Sequence, residues 1–208
     1  MKSESIVFTV AGICFGILIG WILGDDNGFK RGIARAPQAS ASAPAEQSAG
    51  NTAPAARPLD EARVQQLSAA VAKNPSDASA TVQLANTYFD AEKYDDAIKW
   101  YEQALKLDPR NADASTDLGV SYYYTKRPDH ALDQFERSLK INPNHTKTLL
   151  NKGIVLAFGK QDLDGAAAAW KKVVEIAPDS REGQAAQRGL EGIAASRQNR
   201  GATSSSNQ

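Results

Sequence analysis

Four prolines recur at a nearly constant interval along most of the chain. Pro75, Pro109, Pro143 and Pro178 are separated by 34, 34 and 35 residues. Each follows a stretch with helical spacing of apolar residues and ends it, because proline cannot continue a helix and restricts the residue before it. A fixed period of this length predicts that the chain stacks copies of one helical supersecondary unit.

The segments between these prolines align with one another, and they resemble the tetratricopeptide repeat family. That family has the pattern W-x2-L-G-x2-Y in a first helix, followed by A, F or Y, A and P in a second. The positions that match are Leu84, Ala85, Tyr88, Ala97, Tyr101, Ala104 and Pro109 in the first repeat, Leu118, Gly119, Tyr122, Ala131, Phe135, Ser138 and Pro143 in the second, and Gly153, Leu156, Ala166, Trp170, Val173 and Pro178 in the third.

The resemblance implies an all-α fold, a helical-repeat solenoid in which stacking buries the apolar face that a single repeat leaves open. We expect this domain to span residues 59–197. Its predicted parts are a half-repeat helix at 59–74, repeats at 78–111, 112–145 and 146–180, and a capping helix at 180–197. The third repeat has one extra residue, which we place in the turn near 162–165, and residues 198–208 are predicted to be a disordered tail.

A single transmembrane helix is predicted at residues 6–24, after an N-terminal tail of residues 1–5. Ile6 to Leu23 contains no charged residue, and as a helix it is roughly 27 Å long, close to the thickness of a hydrocarbon core. A cleaved signal peptide is the alternative, but it normally has a shorter apolar run and an adjacent small-x-small site. The first such site here, Ala34-Arg35-Ala36, lies more than ten residues beyond the run. The sequence therefore favours an uncleaved anchor.

Small residues mark one face of this predicted helix. Gly12, Gly16 and Gly20 recur every four residues. Such a stripe allows two helices to approach closely in lipid, although glycine is also common in transmembrane helices generally. The stripe predicts packing against a second copy, as in a homodimer, or against a partner's helix.

Residues 25–58 are predicted to be a flexible linker rich in Ala, Pro and Ser. It has few large apolar residues with which to offset the entropy of ordering. The linker would tether the repeats to the membrane. We expect the repeat domain to be extracytoplasmic (periplasmic), because the short tail before the span resembles that of bacterial signal anchors, although the basic residues that come after the span favour the cytoplasmic side.

Composition argues against several classes of function. Lys plus Arg and Asp plus Glu both number 24 over the whole chain. No basic stripe emerges along the helices, so we expect no nucleic-acid binding. The chain has one cysteine and two histidines, without metal-ligand spacing or a catalytic motif. We therefore expect no enzyme activity and no cofactor, and we expect His130 and His145 to be ordinary surface residues.

The family's concave groove, lined by the first helix of each repeat, is the predicted site for a partner protein or peptide. Tyr123 and Tyr124 are its most specific indication, because the repeat's own core position is taken by Tyr122. The residues predicted to contact the partner are Val82, Asn86, Phe89, Asp117, Val120, Tyr123, Tyr124, Lys147, Asn151, Ile154 and Phe158. Exposed aromatic and apolar side chains suit an apolar or helical segment. The alternative is that the chain's own terminal helix covers the groove.

One subtype of the family is argued against. Repeat domains that grip the acidic C-terminus of heat-shock chaperones use Lys and Asn as a carboxylate clamp. Asn86 and Asn151 fall at groove positions, but Val82 stands where a clamp lysine would be. Lys147 is the cation that the sequence adds to the groove.

These observations predict a non-enzymatic, membrane-tethered scaffold that binds a partner peptide or helix during assembly of a membrane or envelope complex. A self-assembling, homo-oligomeric membrane protein is the first alternative. An accessory subunit like those of cytochrome c maturation is the second, and it rests on similarity of architecture alone.

Overall fold

A computed structural model describes residues 57–205 of the chain. The predicted N-terminal tail, the transmembrane helix with its glycine stripe, and all of the linker before Arg57 lie outside these residues. Among the described residues, no helix is both long enough and apolar enough to cross a bilayer.

The described chain is helical from residue 61 onward, and its helices succeed one another in antiparallel pairs joined by short turns. The helices are α1 (Glu61–Lys73), α2 (Ala78–Asp90), α3 (Tyr94–Leu107), α4 (Ala112–Tyr124), α5 (Pro128–Ile141), α6 (Thr146–Ile154) continued by a π-helical turn (Val155–Gly159), α7 (Leu163–Ile176) and α8 (Arg181–Ser205). The pairs α2–α3, α4–α5 and α6–α7 are three repeats, α1 is a second helix without its first, and α8 closes the array. The expected all-helical repeat solenoid is confirmed.

Side-chain caps fix where several helices begin. Asp60, Asp77, Asn111 and Asp162 each accept a hydrogen bond from the backbone N–H three residues later, at 2.8–2.9 Å. Such caps satisfy N–H groups that have no partner within the helix, and each stabilises a helix by about 1 kcal/mol.

The turn inside each repeat has the same shape. Three residues connect the two helices, and the middle one, Glu92, Lys126 or Gln161, has a φ of 57°, 62° or 57°. The predicted position of the extra residue, in the turn near 162–165, is therefore wrong.

The extra residue is absorbed at the end of the third repeat's first helix. There the backbone widens into a π-helical turn over Val155–Gly159, and the N–H of Lys160 donates to the carbonyl of Val155 at 3.0 Å. A π turn takes in one additional residue without displacing the next turn or helix. The Asp162 cap consequently starts α7 in register with α3 and α5.

The core lies between the paired helices, at the small and aromatic positions of the pattern. Tyr101, Phe135 and Trp170 are buried on the second helices. They pack where the first helices have no side chain: a Cβ on Gly119 would lie 2.5 Å from Phe135 Cε1, and one on Gly153 would lie 2.2 Å from Trp170 Nε1. Because both distances are below van der Waals contact, glycine is required for this packing.

The last helix is longer than the sequence predicted. It begins after Ser180, whose Oγ accepts a hydrogen bond from the Gly183 N–H at 2.9 Å, and it continues to Ser205. The predicted end at residue 197, with a disordered tail from 198, is thus wrong for residues 198–205. The segment contains no proline, and its single Gly201 costs a helix only about 1 kcal/mol.

Helix α8 extends the row of first helices and does not fold back over it. In the described part of the chain it packs against α7 and, to a smaller extent, α6. In a complete repeat, one side of the first helix faces the second helix. The residues of α8 at these positions are exposed: Gln187, Arg188 and Glu191. This polar face ends the stack, and α8 leaves the side of α2 and α4 away from the second helices uncovered.

Candidate partner-binding face

We use the name first-helix face for the side of the array built from α2, α4 and α6. Five of the predicted contact residues are half-buried there and two are exposed, with Phe158 39% exposed. The half-buried residues are Val82, Asp117, Tyr123, Tyr124 and Lys147, and the exposed ones are Asn86 and Phe158.

The other four predicted contact residues are buried, which corrects their assignment as exposed groove residues. Phe89, Val120, Asn151 and Ile154 are 4–9% exposed. Phe89 packs edge-on against the ring of Tyr94, with centroids 5.5 Å apart. A helix presents neighbouring positions to both the groove and the adjacent repeat, so sequence position alone did not separate these two environments.

Asn86 is exposed, but its side-chain oxygen is already engaged. It accepts a hydrogen bond of 2.6 Å from the hydroxyl of Tyr101, a residue that is 1% exposed. Asn86 therefore joins the first and second helices of the first repeat through this hydrogen bond.

An ion pair joins the second and third repeats across this face. Lys147 Nζ lies 2.8 Å from Asp117 Oδ1. Burial raises the pKa of Asp117, opposed by the charge and hydrogen bond of Lys147. Burial acts to lower the pKa of Lys147, but Asp117, Asp113 and Glu182 outweigh it and raise that pKa. Lys147 is thus held charged by three carboxylates.

The sequence did not predict that the carboxylates of Asp113 and Glu182 act on Lys147. Asp113 lies in the first turn of α4 and is 71% exposed, and its Oδ1 is 3.3 Å from His145 Nε2. Glu182 lies in the first turn of α8. Asp113, Lys147 and Glu182 are each the second residue of their helix, and this shared position could have indicated that the three side chains meet.

His145 is more enclosed than predicted. Its side chain is 17% exposed, and its Nδ1 lies 2.5 Å from Thr148 Oγ1. Thr148 belongs to a buried hydroxyl cluster with Thr116 and Ser138, whose oxygen atoms are 2.6–3.1 Å apart. His145 is therefore part of the junction between repeats, whereas His130 is exposed as expected, with its ring 5.3 Å from that of Tyr122.

The two adjacent tyrosines have structural partners. Tyr124 stacks on Tyr94 of the preceding repeat, with ring centroids 4.4 Å apart and planes 5° apart. A Cβ on Gly159 would lie 3.1 Å from Tyr123 Cε2, so Tyr123 packs onto the π turn of the following repeat. Burial raises the pKa of both phenols, to about 12 for Tyr123. Each ring thus joins two repeats while a part of it stays accessible.

The end of this face nearest the linker contains a cavity of about 450 Å³. It is lined by Arg57, Pro58, Asp60, Arg63, Gln83, Asn86, Thr87, Asp90 and Ala91. The lining contains two arginines and two aspartates, so their formal charges sum to zero. Arg63 lies in α1 at the position that corresponds, 34 residues later, to the buried Ala97 in α3. Because α1 has no first helix to pack against, this position is exposed. The guanidinium of Arg63 donates a hydrogen bond of 2.7 Å to Gln83 Oε1.

The described side chains offer a binding surface of mixed chemistry. Within residues 57–198, no three His, Cys, Asp or Glu side chains are grouped so that they could hold a metal ion. Aromatic edges at the C-terminal end of α4 and carboxylates near its N-terminal end are the groups that a ligand would meet.

Two protein-family models match the sequence. One, described as TPR repeat, matches residues 85–126, and the other, described as tetratricopeptide repeat, matches residues 112–145. This chain contains tetratricopeptide repeats. The first two repeats carry the matches, and the third adjoins them in the structure with the same turn and the same small and aromatic core positions.

Solved structures share the fold of this tetratricopeptide array. A crystal structure of MamA aligns with a TM-score of 0.55 at 18% identity, over 66% of this chain and 88% of that one. The first TPR of Spaghetti (RPAP3), bound to the HSP90 peptide SRMEEVD, aligns with a TM-score of 0.53 at 27% identity, over 57% of this chain and 91% of that one. A search of curated proteins found no match.

Proposed function

We propose that this chain is a membrane-tethered scaffold that binds a segment of a partner protein on its first-helix face, and that it thereby assembles a complex at a membrane. The observation that carries the proposal is the first-helix face, which α8 leaves open over α2 and α4 within residues 57–205, with Tyr123, Tyr124 and Phe158 at one end. Aromatic side chains with an apolar body and a polar edge are enriched where proteins bind one another. The membrane part of the proposal rests on the apolar run at residues 6–24.

Two further observations support a binding role. The matched family models describe repeats rather than a catalytic family. The RPAP3 repeat domain, similar in fold at 27% identity, has a peptide bound. A side chain used for catalysis would need reactive partners, whereas a binding face needs accessible area and complementary charge.

The experiment compares partner capture by the full chain and two matched variants. Tyr123→Ala/Tyr124→Ala removes aromatic area from the first-helix face. Leu107→Ser/Ile176→Ser removes exposed apolar area from two second helices, where the side chains are 38% and 37% exposed. Circular dichroism first establishes that both variants retain their helices.

We expect the tyrosine variant to lose a protein that the wild type and the second-helix variant both retain. The same proteins bound by all three forms would refute the role of this face. Loss from the Leu107→Ser/Ile176→Ser variant alone would place the interaction on the second helices instead.

A further inference from the structure

The charge of the first-helix face restricts which peptide segment of a partner protein can bind there. Three carboxylates, on Asp113, Asp117 and Glu182, act on the ammonium group of Lys147. The three carboxylates and Lys147 together carry two net negative charges. Lys147 is already committed to Asp117 at 2.8 Å, so it offers little attraction to an anion.

The other lysine on the three first helices is also committed, and it points away from this group. Lys152 pairs with Glu136 on the second helix α5, with Nζ 2.5 Å from Oε1. At the linker end, Arg57 and Arg63 line the cavity beside Asp60 and Asp90, so that end is balanced. The net charge of the face therefore comes from its Asp113–Glu182 end.

The aromatic and acidic parts of the face are a fixed distance apart. Asp113 and Tyr123 lie on the same helix, ten residues and thus roughly 15 Å apart along its axis. An extended segment advances about 3.3 Å per residue, so about four to five residues span this distance.

We infer that the partner segment is basic: it places a Lys or Arg side chain against Asp113 and Glu182 and an apolar side chain against Tyr123, Tyr124 and Phe158, about four to five residues away. This inference rests on the proposed function and names the chemistry of its partner. Asp113 is the residue best placed to receive the cation, because it is 71% exposed at the face. Complementary charge sets which partner binds and how fast it associates.

The test uses the full chain and two labelled peptides of the same length. One is the acidic SRMEEVD, and the other is SRMKKVK with an amidated C-terminus. We expect the basic peptide to bind at least tenfold more tightly in a fluorescence polarisation assay, with an affinity that weakens as salt is raised from 50 to 300 mM.

A matched pair of variants locates the effect. Asp113→Asn/Glu182→Gln removes one carboxylate from the first-helix face and one from the adjoining first turn of α8, and Asp133→Asn/Glu175→Gln removes two carboxylates from second helices. Both variants change the net charge of the chain equally. We expect the first to weaken binding of the basic peptide about fivefold and the second to change it less than 1.5-fold.

Equal affinity for the two peptides, preference for SRMEEVD, or no binding of either at 1 mM would overturn the inference. The proposed function would then be decided separately, by the Tyr123→Ala/Tyr124→Ala capture experiment. Binding of the basic peptide that appears only after Lys30, Arg31 and Arg35 are replaced by Gln would show that this chain's own basic segment is the occupant, which also overturns the inference of a separate partner.

Discussion

Replacing Gly153 by alanine tests the packing on which the repeat assignment depends. The new Cβ would lie 2.2 Å from Trp170 Nε1 and 2.5 Å from Cδ1. The indole cannot simply turn away, because it is 3% exposed and its Nε1–H donates to the carbonyl of Leu150 at 3.1 Å. Either α6 and α7 separate or that hydrogen bond breaks.

The expected change in the free energy of unfolding combines two terms that destabilise the fold and one that stabilises it. Overpacking a filled core costs about 1–3 kcal/mol. A lost hydrogen bond costs about 0.5–1.5 kcal/mol, and alanine in place of glycine returns about 1 kcal/mol of helix propensity. We therefore expect Gly153→Ala to destabilise the domain by about 1–3 kcal/mol.

Gly192 provides the matched control, because it lies in the middle of α8 and a Cβ there meets nothing within 4 Å. Gly192→Ala should stabilise by up to about 1 kcal/mol through helix propensity alone. In urea unfolding monitored by circular dichroism at 222 nm, the midpoint for Gly153→Ala should fall by about 1 M, for a slope of about 2 kcal/mol/M. A Gly153→Ala protein as stable as Gly192→Ala would refute the packing argument.

Three further predictions concern the tyrosines. Asn86→Ala should cost about 1–3 kcal/mol because the buried hydroxyl of Tyr101 loses its acceptor, and adding Tyr101→Phe should restore part of that stability; urea unfolding that shows no restoration would contradict it. Alanine substitutions at Tyr94 and Tyr124 should couple by about 0.5–1.5 kcal/mol in a double-mutant cycle, whereas purely additive effects would mean that the stacked pair contributes nothing of its own. Burial raises the pKa of Tyr94, Tyr123 and Tyr124, so the folded chain keeps protons that the unfolded chain releases near pH 10. Stability should accordingly fall as pH rises above about 10, and a melting temperature that is unchanged between pH 9 and pH 11 would contradict this.

The repeat architecture was predictable because the pattern encodes contacts within one repeat. Proline spacing marks where second helices end, and Gly119 and Gly153 mark where an aromatic ring from the paired helix must fit. Contacts of this kind join residues within a single period, so each copy of the pattern repeats the same information.

The position of the extra residue was not predictable in the same way. A turn and a π-helical segment can both take in one residue, and the choice depends on which hydrogen bonds the helix end can rearrange. The Asp162 cap holds the start of α7, so the additional residue is absorbed within Val155–Gly159.

Only part of the candidate site was predictable, because exposure depends on neighbouring repeats. Val120 and Ile154 lie on the same helices as Tyr123 and Lys147, but they are buried. The gathering of Asp113 and Glu182 around Lys147 joins three helices, and no local pattern describes such a contact.

The central claim, that the first-helix face contacts a partner, is tested most directly by photo-crosslinking in cells that express the full chain. A benzoylphenylalanine at Val82 or Phe158 reports on this face, and one at Asp133 or Lys171 reports on the second helices. We predict an adduct of the same partner from Val82 and Phe158 and none from Asp133 and Lys171. Adducts from Asp133 or Lys171 with none from Val82 and Phe158 would contradict the claim.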